Sequence, residues 1–218
     1  MKTIYNSIFI LFLSFIVACN NSKNTLDHTL AFSKSQKVNE NQIDDSITYN
    51  KFEPRNSISY TGGDSLIVEK VVQINTLTLI TGISKIHNDG VRLYAVDQEY
   101  NLLYQSKGQE DSWRLNLNFY KSKKGKNIVI LAEVGAEESW GAYVYLYDGE
   151  KFKELDFLDF VALNSYKESQ SIIPFLEITE KRNTSIQLSS TSKAIFLNNV
   201  TQKEVNAKDL IFTYHFEN

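Results

Sequence analysis

The sequence is poor in cysteine and in proline. Cys19 is the single cysteine, and only two prolines occur among 218 residues. No disulfide can form within the chain, so its stability must come from a hydrophobic core, which a domain of about 150 residues can supply. Because proline is scarce while Thr, Ile, Val and Tyr are frequent, the composition favours strands over helices.

The sequence also lacks an excess of positive charge. Its formal net charge is −3, and its one dense basic run, at positions 121–126, is typical of a solvated turn between strands. This balance argues against nucleic-acid binding, which requires clustered Lys and Arg. The histidines His28, His87 and His215 have no zinc-site spacing. We therefore predict neither a metal nor a cofactor.

The first 18 residues have the features of a secretory signal peptide. Lys2 precedes an apolar stretch that ends in Ile16-Val17-Ala18-Cys19. This motif resembles the lipobox of bacterial lipoproteins, in which a peptidase cuts just before a lipid-modified cysteine. The resemblance implies that Cys19 carries a diacylglyceryl group and an amide-linked acyl chain such as palmitate, and two or more acyl chains hold a protein stably on a membrane. The alternative, a membrane-spanning helix, needs about 20 apolar residues, more than this stretch provides.

The residues after Cys19 bear on location. Asn20 stands where an aspartate retains enterobacterial lipoproteins in the inner membrane, so the resemblance implies an outer-membrane protein that faces the periplasm or the cell surface. Two triplets, Asp45-Ser46-Ile47 and Asp64-Ser65-Leu66, resemble the O-glycosylation motif of Bacteroidota. We expect the chain to reside in a cell envelope.

Residues 19–63 are predicted to form the lipidated N-terminus and a flexible tether. They are rich in Asn, Ser, Lys, Asp and Gln, and their apolar residues follow no sustained period. Such a segment cannot bury enough apolar surface to offset its ordering entropy. Gly62-Gly63 ends the stretch, which places the folded domain at residues 64–218.

Residues 64–218 show strand patterns. In residues 113–119 the odd positions are apolar and are expected to face a core, while the even positions face water. In residues 142–147, Val144 and Leu146 share one face and the tyrosines the other. Residues 128–132 are continuously apolar, which predicts a central strand buried on both sides. Asn88-Asp89-Gly90 and Asp148-Gly149 predict tight turns before residues 91–96 and 152–155.

Further strands are predicted, and with them the fold class. The candidates are 66–73, 76–83, 101–106, 171–178 as an edge or bulged strand because of Pro174, 184–189, 194–198 and a final strand through Leu210, Phe212, Tyr214 and Phe216. Residues 157–168 are expected to contain a helical turn. Short, regularly spaced strands indicate an all-β antiparallel sandwich or barrel-like domain. An alternative is a partial propeller, since residues 94–104 and 145–149 resemble blades of the FG-GAP or quinoprotein kind.

Two groups of residues are candidates for ligand binding. The segment from Gly135 to Gly141 contains Glu137, Glu138 and Trp140 and is expected to be a loop. A glycosidase needs two carboxylates about 5–9.5 Å apart, and adjacent glutamates cannot easily flank one bond. A solvated loop is the alternative interpretation.

The second group is aromatic. Trp140, Tyr143, Tyr145 and Tyr147 could form a platform on which a sugar stacks. Cross-strand packing, or coverage by a second layer, is the alternative. The acids Asp148, Glu150, Glu154, Asp156 and Asp159 lack the spacing of a calcium loop and indicate a charged solvent face.

The sequence therefore predicts a membrane-anchored envelope lipoprotein with a non-catalytic β domain. Its expected partner, besides the membrane, is an envelope protein or a glycan. Two alternatives stay open, a hydrolase that acts on envelope or external polysaccharide and an envelope immunity or inhibitor protein.

Overall fold

Antiparallel strands make up most of the folded chain. The structure, a computed structural model, describes residues 46–56, 65–181, 184–190 and 192–216. Every pair of hydrogen-bonded strands in these residues is antiparallel. The predicted all-β, barrel-like fold class is confirmed. The signal peptide, Cys19, Asp45 and Asp64 lie outside the described residues, so the predictions that rest on them stay predictions.

The strands, in chain order, are β1 Ser46–Phe52, β2 Arg55–Asn56, β3 Leu66–Ile74, β4 Leu77–Ser84, β5 Val91–Val96, β6 Leu102–Gln105, β7 Arg114–Ser122, β8 Ile128–Gly135, β9 Ser139–Tyr147, β10 Phe152–Leu158, β11 Phe160–Leu163, β12 Ser169–Gln170, β13 Glu177–Lys181, β14 Ser185–Ser189, β15 Ile195–Asn198, β16 Glu204–Asn206 and β17 Ile211–His215. Short 3₁₀ helices form at Ile173–Phe175 and Ala207–Asp209. No helix of the described residues has the length and hydrophobicity that a membrane span requires.

The largest sheet has eight strands in the order β10-β9-β8-β7-β1-β13-β14-β17. It is curved until it is nearly closed like a barrel. Side chains connect its two edge strands: the Tyr214 hydroxyl of β17 donates to Asp156 Oδ2 of β10 at 3.2 Å. The ring of Phe212 of β17 also meets that of Phe160 of β11, the strand that follows β10, edge to face, 5.5 Å apart.

Two hydrophobic cores lie on the two faces of this sheet. The interior core, inside the curved sheet, includes Val129, Leu131, Val144, Leu146, Leu158, Phe160, Ile178, Ile186, Leu188 and Phe196. The interlayer core, on the outer face, includes Leu77, Leu79, Val91, Leu93, Leu115, Leu117, Phe119, Ile128, Ile130, Tyr145 and Tyr147. Since β8 contributes to both cores, the prediction that residues 128–132 form a doubly buried strand is confirmed.

Two smaller sheets cover these cores. The five-stranded sheet, in the order β2-β3-β4-β5-β6, packs its inner face on the interlayer core. The four-stranded sheet, in the order β12-β11-β15-β16, contributes Phe160, Ala162 and Phe196 to the interior core. The sheets therefore contain eight, five and four strands and do not repeat as four-stranded blades, which disfavours the propeller alternative.

Local sequence signals account for much of this arrangement. Phe152 pairs with Tyr147, and Gly149 in the connection has φ +100°, which a glycine adopts without strain. The turn at residues 88–90 leads directly into β5. The residues Leu210, Phe212, Tyr214 and Phe216 all pack in or against the interior core, which confirms that they share a face.

The tether prediction fails for its last part. Ser46–Phe52, which it includes, form β1 in the middle of the eight-stranded sheet, paired with β7 on one side and β13 on the other. Only Tyr49 of β1 is buried, so the strand has almost no apolar pattern. Its backbone hydrogen bonds to two neighbours, rather than apolar burial, place it there.

Two other segments also differ from expectation. Residues 157–168 contain the end of β10, all of β11 and a turn, and no helix. In residues 171–178, Pro174 occupies the first turn of a 3₁₀ helix, where a missing N–H costs nothing, and β13 starts only at Glu177. The predicted edge strand at 171–178 is therefore wrong.

Candidate functional site

The tyrosines of β9 lie between two sheets. As the alternation predicts, Tyr143, Tyr145 and Tyr147 face away from Val144 and Leu146. Tyr145 and Tyr147 are only 1% and 3% exposed, and Tyr143 packs at the margin of the same interlayer core. The five-stranded sheet covers them, so the predicted sugar-stacking platform is wrong for Tyr145 and Tyr147.

Hydrogen bonds from neighbouring elements occupy the hydroxyl groups of this tyrosine cluster. Tyr104 of β6 donates to Glu154 of β10. Gln109 Nε2 donates to the Tyr143 hydroxyl at 2.9 Å, and Tyr147 donates to the Gly149 carbonyl at 3.0 Å. Burial, and then the bond to Glu154, raises the pKa of Tyr104 and keeps this phenol protonated. The cluster therefore fastens the layers together.

The segment from Gly135 to Gly141 is a tight hairpin and not an open loop. Gly135 pairs with Ser139, and the Ala136 N–H donates to the Glu138 carbonyl at 3.1 Å. Glu137 and Glu138 at its tip are exposed, and neither lines the cleft described below. The connection is shorter than predicted, because β9 already begins at Ser139, but its exposed Glu137 and Glu138 agree with the solvated-loop interpretation.

The two tryptophans lie in contrasting environments, and only Trp113 contradicts its prediction. Trp140 is half-buried against the interlayer core, and its carbonyl accepts a hydrogen bond from Asn199 Nδ2 at 2.8 Å. Trp113, an odd position that was expected to face a core, is 67% exposed because β7 begins one residue later, at Arg114. Trp140, Glu137 and Glu138 line none of four clefts on the described surface, the mouth cleft described below among them.

The acidic residues in and around β10 do not form a common binding site. Asp148 Oδ1 accepts the N–H groups of Glu150 at 2.9 Å and Lys151 at 2.7 Å, which closes the turn. Partial burial opposes ionisation, but these two bonds lower the pKa of Asp148 overall. Among the described residues, no group of three or more His, Cys, Asp or Glu side chains is placed to hold a metal ion.

A cleft of about 350 Å³ opens where β1 ends and β13 begins, on the face of the eight-stranded sheet that carries the interior core. We call it the mouth cleft. It is lined by Lys51 of β1, Asn118 and Tyr120 of β7, Glu133 of β8, and Ser171, Ile173, Pro174 and Leu176. The mouth of a barrel-like sheet is a common place for a ligand site.

Strand register explains why polar side chains gather there. Lys51 lies opposite Tyr120, and Asn116 of β7 lies opposite Glu133. These positions alternate with the residues of the interlayer core, so they point to the interior face of the sheet. On the neighbouring strand β8, Leu131 and Val129 lie directly opposite Asn118 and Tyr120 and belong to the interior core. The same face therefore changes from apolar on β8 to polar at Asn118 of β7 and Lys51 of β1, and Glu133 is the polar residue of β8 that borders the cleft.

Hydrogen bonds fix the polar wall of the mouth cleft. Lys51 Nζ donates to Asn118 Oδ1 at 3.0 Å. Glu133 Oε1 lies 3.9 Å from Nη2 of Arg114, whose guanidinium lies against Gly135. Arg114 Nε is buried without a hydrogen-bond partner. The wall thus presents an ammonium, an amide and a carboxylate, next to a guanidinium whose Nε has no hydrogen-bond partner.

The opposite wall is apolar and rigid. Ile173 and Leu176 are buried in the interior core, and Pro174 fixes the backbone of the short 3₁₀ helix between them. The Ile173 N–H donates to Ser171 Oγ at 3.3 Å. This segment presents a preformed apolar surface to whatever enters the cleft.

Sequence reasoning missed this site. Lys51 was assigned to the tether, and Asn118 was an even position of β7 that was expected to face water. The signal that could have found the site is the polar interruption at Glu133, which follows the apolar run of β8.

A buried carboxylate lies on the same face, farther along the sheet. Glu180 of β13 is 1% exposed. Its Oε2 accepts the Tyr49 hydroxyl at 2.6 Å, and its Oε1 accepts Asn127 Nδ2 at 3.1 Å. Burial, and then the bond to Glu180, raises the pKa of Tyr49. This triad joins β13 to β1 and to the turn before β8, and it has a structural role.

Comparisons with protein-family models, with curated proteins and with solved structures found no match to this chain.

Proposed function

We propose that the protein is a membrane-anchored envelope lipoprotein whose β domain binds a glycan in the mouth cleft. The observation that carries the proposal is the meeting of Lys51, Asn118 and Glu133 with a rigid apolar wall. Sugars have polar edges and apolar faces, so they match a cleft with one polar and one apolar side. Its volume of about 350 Å³ falls within the usual range of about 300–1,000 Å³ for small-ligand sites.

The cleft favours binding over hydrolysis. A glycosidase of the common kind places two carboxylates about 5–9.5 Å apart across the scissile bond. Glu133 is the one carboxylate in the lining of the mouth cleft. A single carboxylate next to an amide and an ammonium suits hydrogen bonding to hydroxyl groups of a bound sugar.

The experiment is a glycan array probed with the full-length protein, purified in detergent. We expect retained glycans, and we expect Asn118→Ala and Glu133→Gln to reduce their retention at least tenfold, since each change removes a hydrogen-bonding group from the cleft. Asn50→Ala is the matched control, because Asn50 is an exposed β1 residue that alternates with Tyr49 and Lys51. No retained glycan, or an equal loss with Asn50→Ala, contradicts the proposal.

The membrane anchor has its own test. Cys19→Ser removes the sulfur that the lipobox resemblance assigns to acylation. We expect the variant to take up no labelled palmitate and to leave the membrane fraction, because its acyl chains provide the membrane binding. Labelling or firm membrane retention of the variant contradicts the anchor but leaves glycan binding untouched.

A further inference from the structure

We infer that the glycan bound in the mouth cleft is acidic and that Lys51 recognises its carboxylate. The inference rests on the proposed function and specifies the ligand class. It concerns the same residues, but it depends on their charge and on their hydrogen-bond donors.

Formal charge favours an anion. Lys51 and Arg114 each contribute +1 and Glu133 contributes −1, which leaves +1 around the polar wall. Glu133 of β8 lies on the strand next to Arg114 of β7, whereas Lys51 lies on β1, on the far side of β7. Its partner is Arg114, at 3.9 Å, while Lys51 bonds only to a neutral amide. Of the two cations, Lys51 is therefore the one whose ammonium has no bonded carboxylate among the contacts of the described residues.

The hydrogen-bond donors that line the cleft also favour an anionic ligand. An ammonium has three donors, and Lys51 directs one of them to Asn118 Oδ1. One lone pair of that amide oxygen is thereby engaged. Asn118 Nδ2 donates one hydrogen to the Asn116 carbonyl at 3.4 Å, which leaves its second hydrogen for a ligand. The Tyr120 and Ser171 hydroxyls add two further donors to the lining. A donor-rich wall complements a ligand rich in acceptors, and a carboxylate is the strongest such group on a sugar.

Glu133 sets the rest of the ligand's chemistry. As the acceptor-only member of the wall, it needs donors from the ligand. Sugar hydroxyls provide them, while the apolar face of the ring contacts Pro174 and Ile173. A simple inorganic anion offers neither feature, so the cleft is built for a saccharide that carries a carboxylate.

The test uses calorimetric titration of the full-length protein in detergent with uronic-acid, sialic-acid and muramic-acid saccharides. Each acid is compared with its methyl ester, which is neutral and nearly the same shape. We expect at least one acid to bind about ten- to a hundredfold tighter than its ester, the range for a hydrogen bond to a charged group. Raising the salt concentration should weaken the acid and leave the ester unchanged.

Variants assign the effect to Lys51. Lys51→Gln should abolish the preference for the acid, and Lys51→Arg should retain most of it. Lys121→Gln, an exposed neighbour on β7, should change nothing. If no acid binds more tightly than its ester, or if Lys121→Gln has the same effect as Lys51→Gln, the inference is overturned while glycan binding still stands. If no glycan of any kind binds in the array or in the titration, the proposed function fails as well.

Discussion

Replacing Tyr49 by Phe should destabilise the fold much more than the loss of one oxygen on the surface would. The Tyr49 hydroxyl donates to Glu180 at 2.6 Å, and Glu180 is 1% exposed. Without this donor, the buried carboxylate retains only the amide of Asn127, at 3.1 Å. Hydrogen bonds to charged groups contribute about 1.5–3 kcal/mol. We expect Tyr49→Phe to lower the free energy of unfolding by that amount.

Equilibrium unfolding of the full-length protein in urea measures this change. The midpoint should fall while the slope m stays constant, because the surface exposed on unfolding is unchanged. The control Tyr166→Phe, at a position that is 82% exposed, should remain within about 0.5 kcal/mol of the wild type.

A double-mutant cycle identifies the partner. In a Glu180→Gln background the same Tyr49→Phe change should cost about 1 kcal/mol or less, since its acceptor is then neutral. An equal cost in both backgrounds, or a cost below about 0.5 kcal/mol in the wild type, would refute the argument that this triad fastens β1 into the sheet.

Three further predictions concern the fold. Gly141 has φ +131°, and a Cβ there would lie 2.3 Å from the Leu158 carbonyl oxygen, so Gly141→Ala should cost more than about 2 kcal/mol in urea unfolding. Gly125→Ala should cost much less, because its Cβ would come no nearer to a neighbouring atom than 3.2 Å, at the Ser122 hydroxyl. Equal costs would contradict the argument. Burial raises the pKa of Tyr145 and Tyr214 above the ordinary 10.0, so their contribution to the free energy of unfolding is complete below pH 10. Above pH 10 this contribution is lost by about 1.4 kcal/mol per pH unit for each tyrosine. Urea unfolding at pH 9 and 11 measures the loss; Tyr145→Phe should reduce it, and equal stability at both pH values would refute the prediction. Deleting residues 1–62, up to the domain boundary that the sequence suggests, removes β1 and β2. This deletion should abolish cooperative thermal unfolding, which circular dichroism measures. An unfolding curve like that of the full chain would show that β1 is dispensable.

The fold could be predicted where side chains carry the signal. β8 is apolar at successive positions because it faces two cores, and β9 alternates because its tyrosines and aliphatic residues face different cores. The turns at 88–90 and 148–149 follow from residues that tolerate positive φ. In these segments, local preference and tertiary structure agree.

The fold could not be predicted where the backbone carries the signal. β1 buries only Tyr49, so no hydrophobic pattern distinguishes it from the polar residues before it. Its position depends on hydrogen bonds with β7 and β13, strands that follow it by more than 60 and 120 positions. Pairing at such separation leaves no local trace in the sequence.

The candidate site was missed for the same reason. The mouth cleft joins Lys51 of that unexpected strand to Asn118, Glu133 and the wall at residues 171–176. The exposed platform was predicted from the alternation of β9, which was correct. Alternation fixes which residues share a face, but it does not say whether another sheet covers that face.

Hydrogen–deuterium exchange, measured on the full-length protein with and without its tightest saccharide, tests the central claim most directly. If the mouth cleft binds the glycan, backbone protection should increase in residues 171–176 and in the part of β7 around Asn118. Protection confined to the β8–β9 hairpin around Glu137, or to the outer face of the five-stranded sheet, would contradict the account.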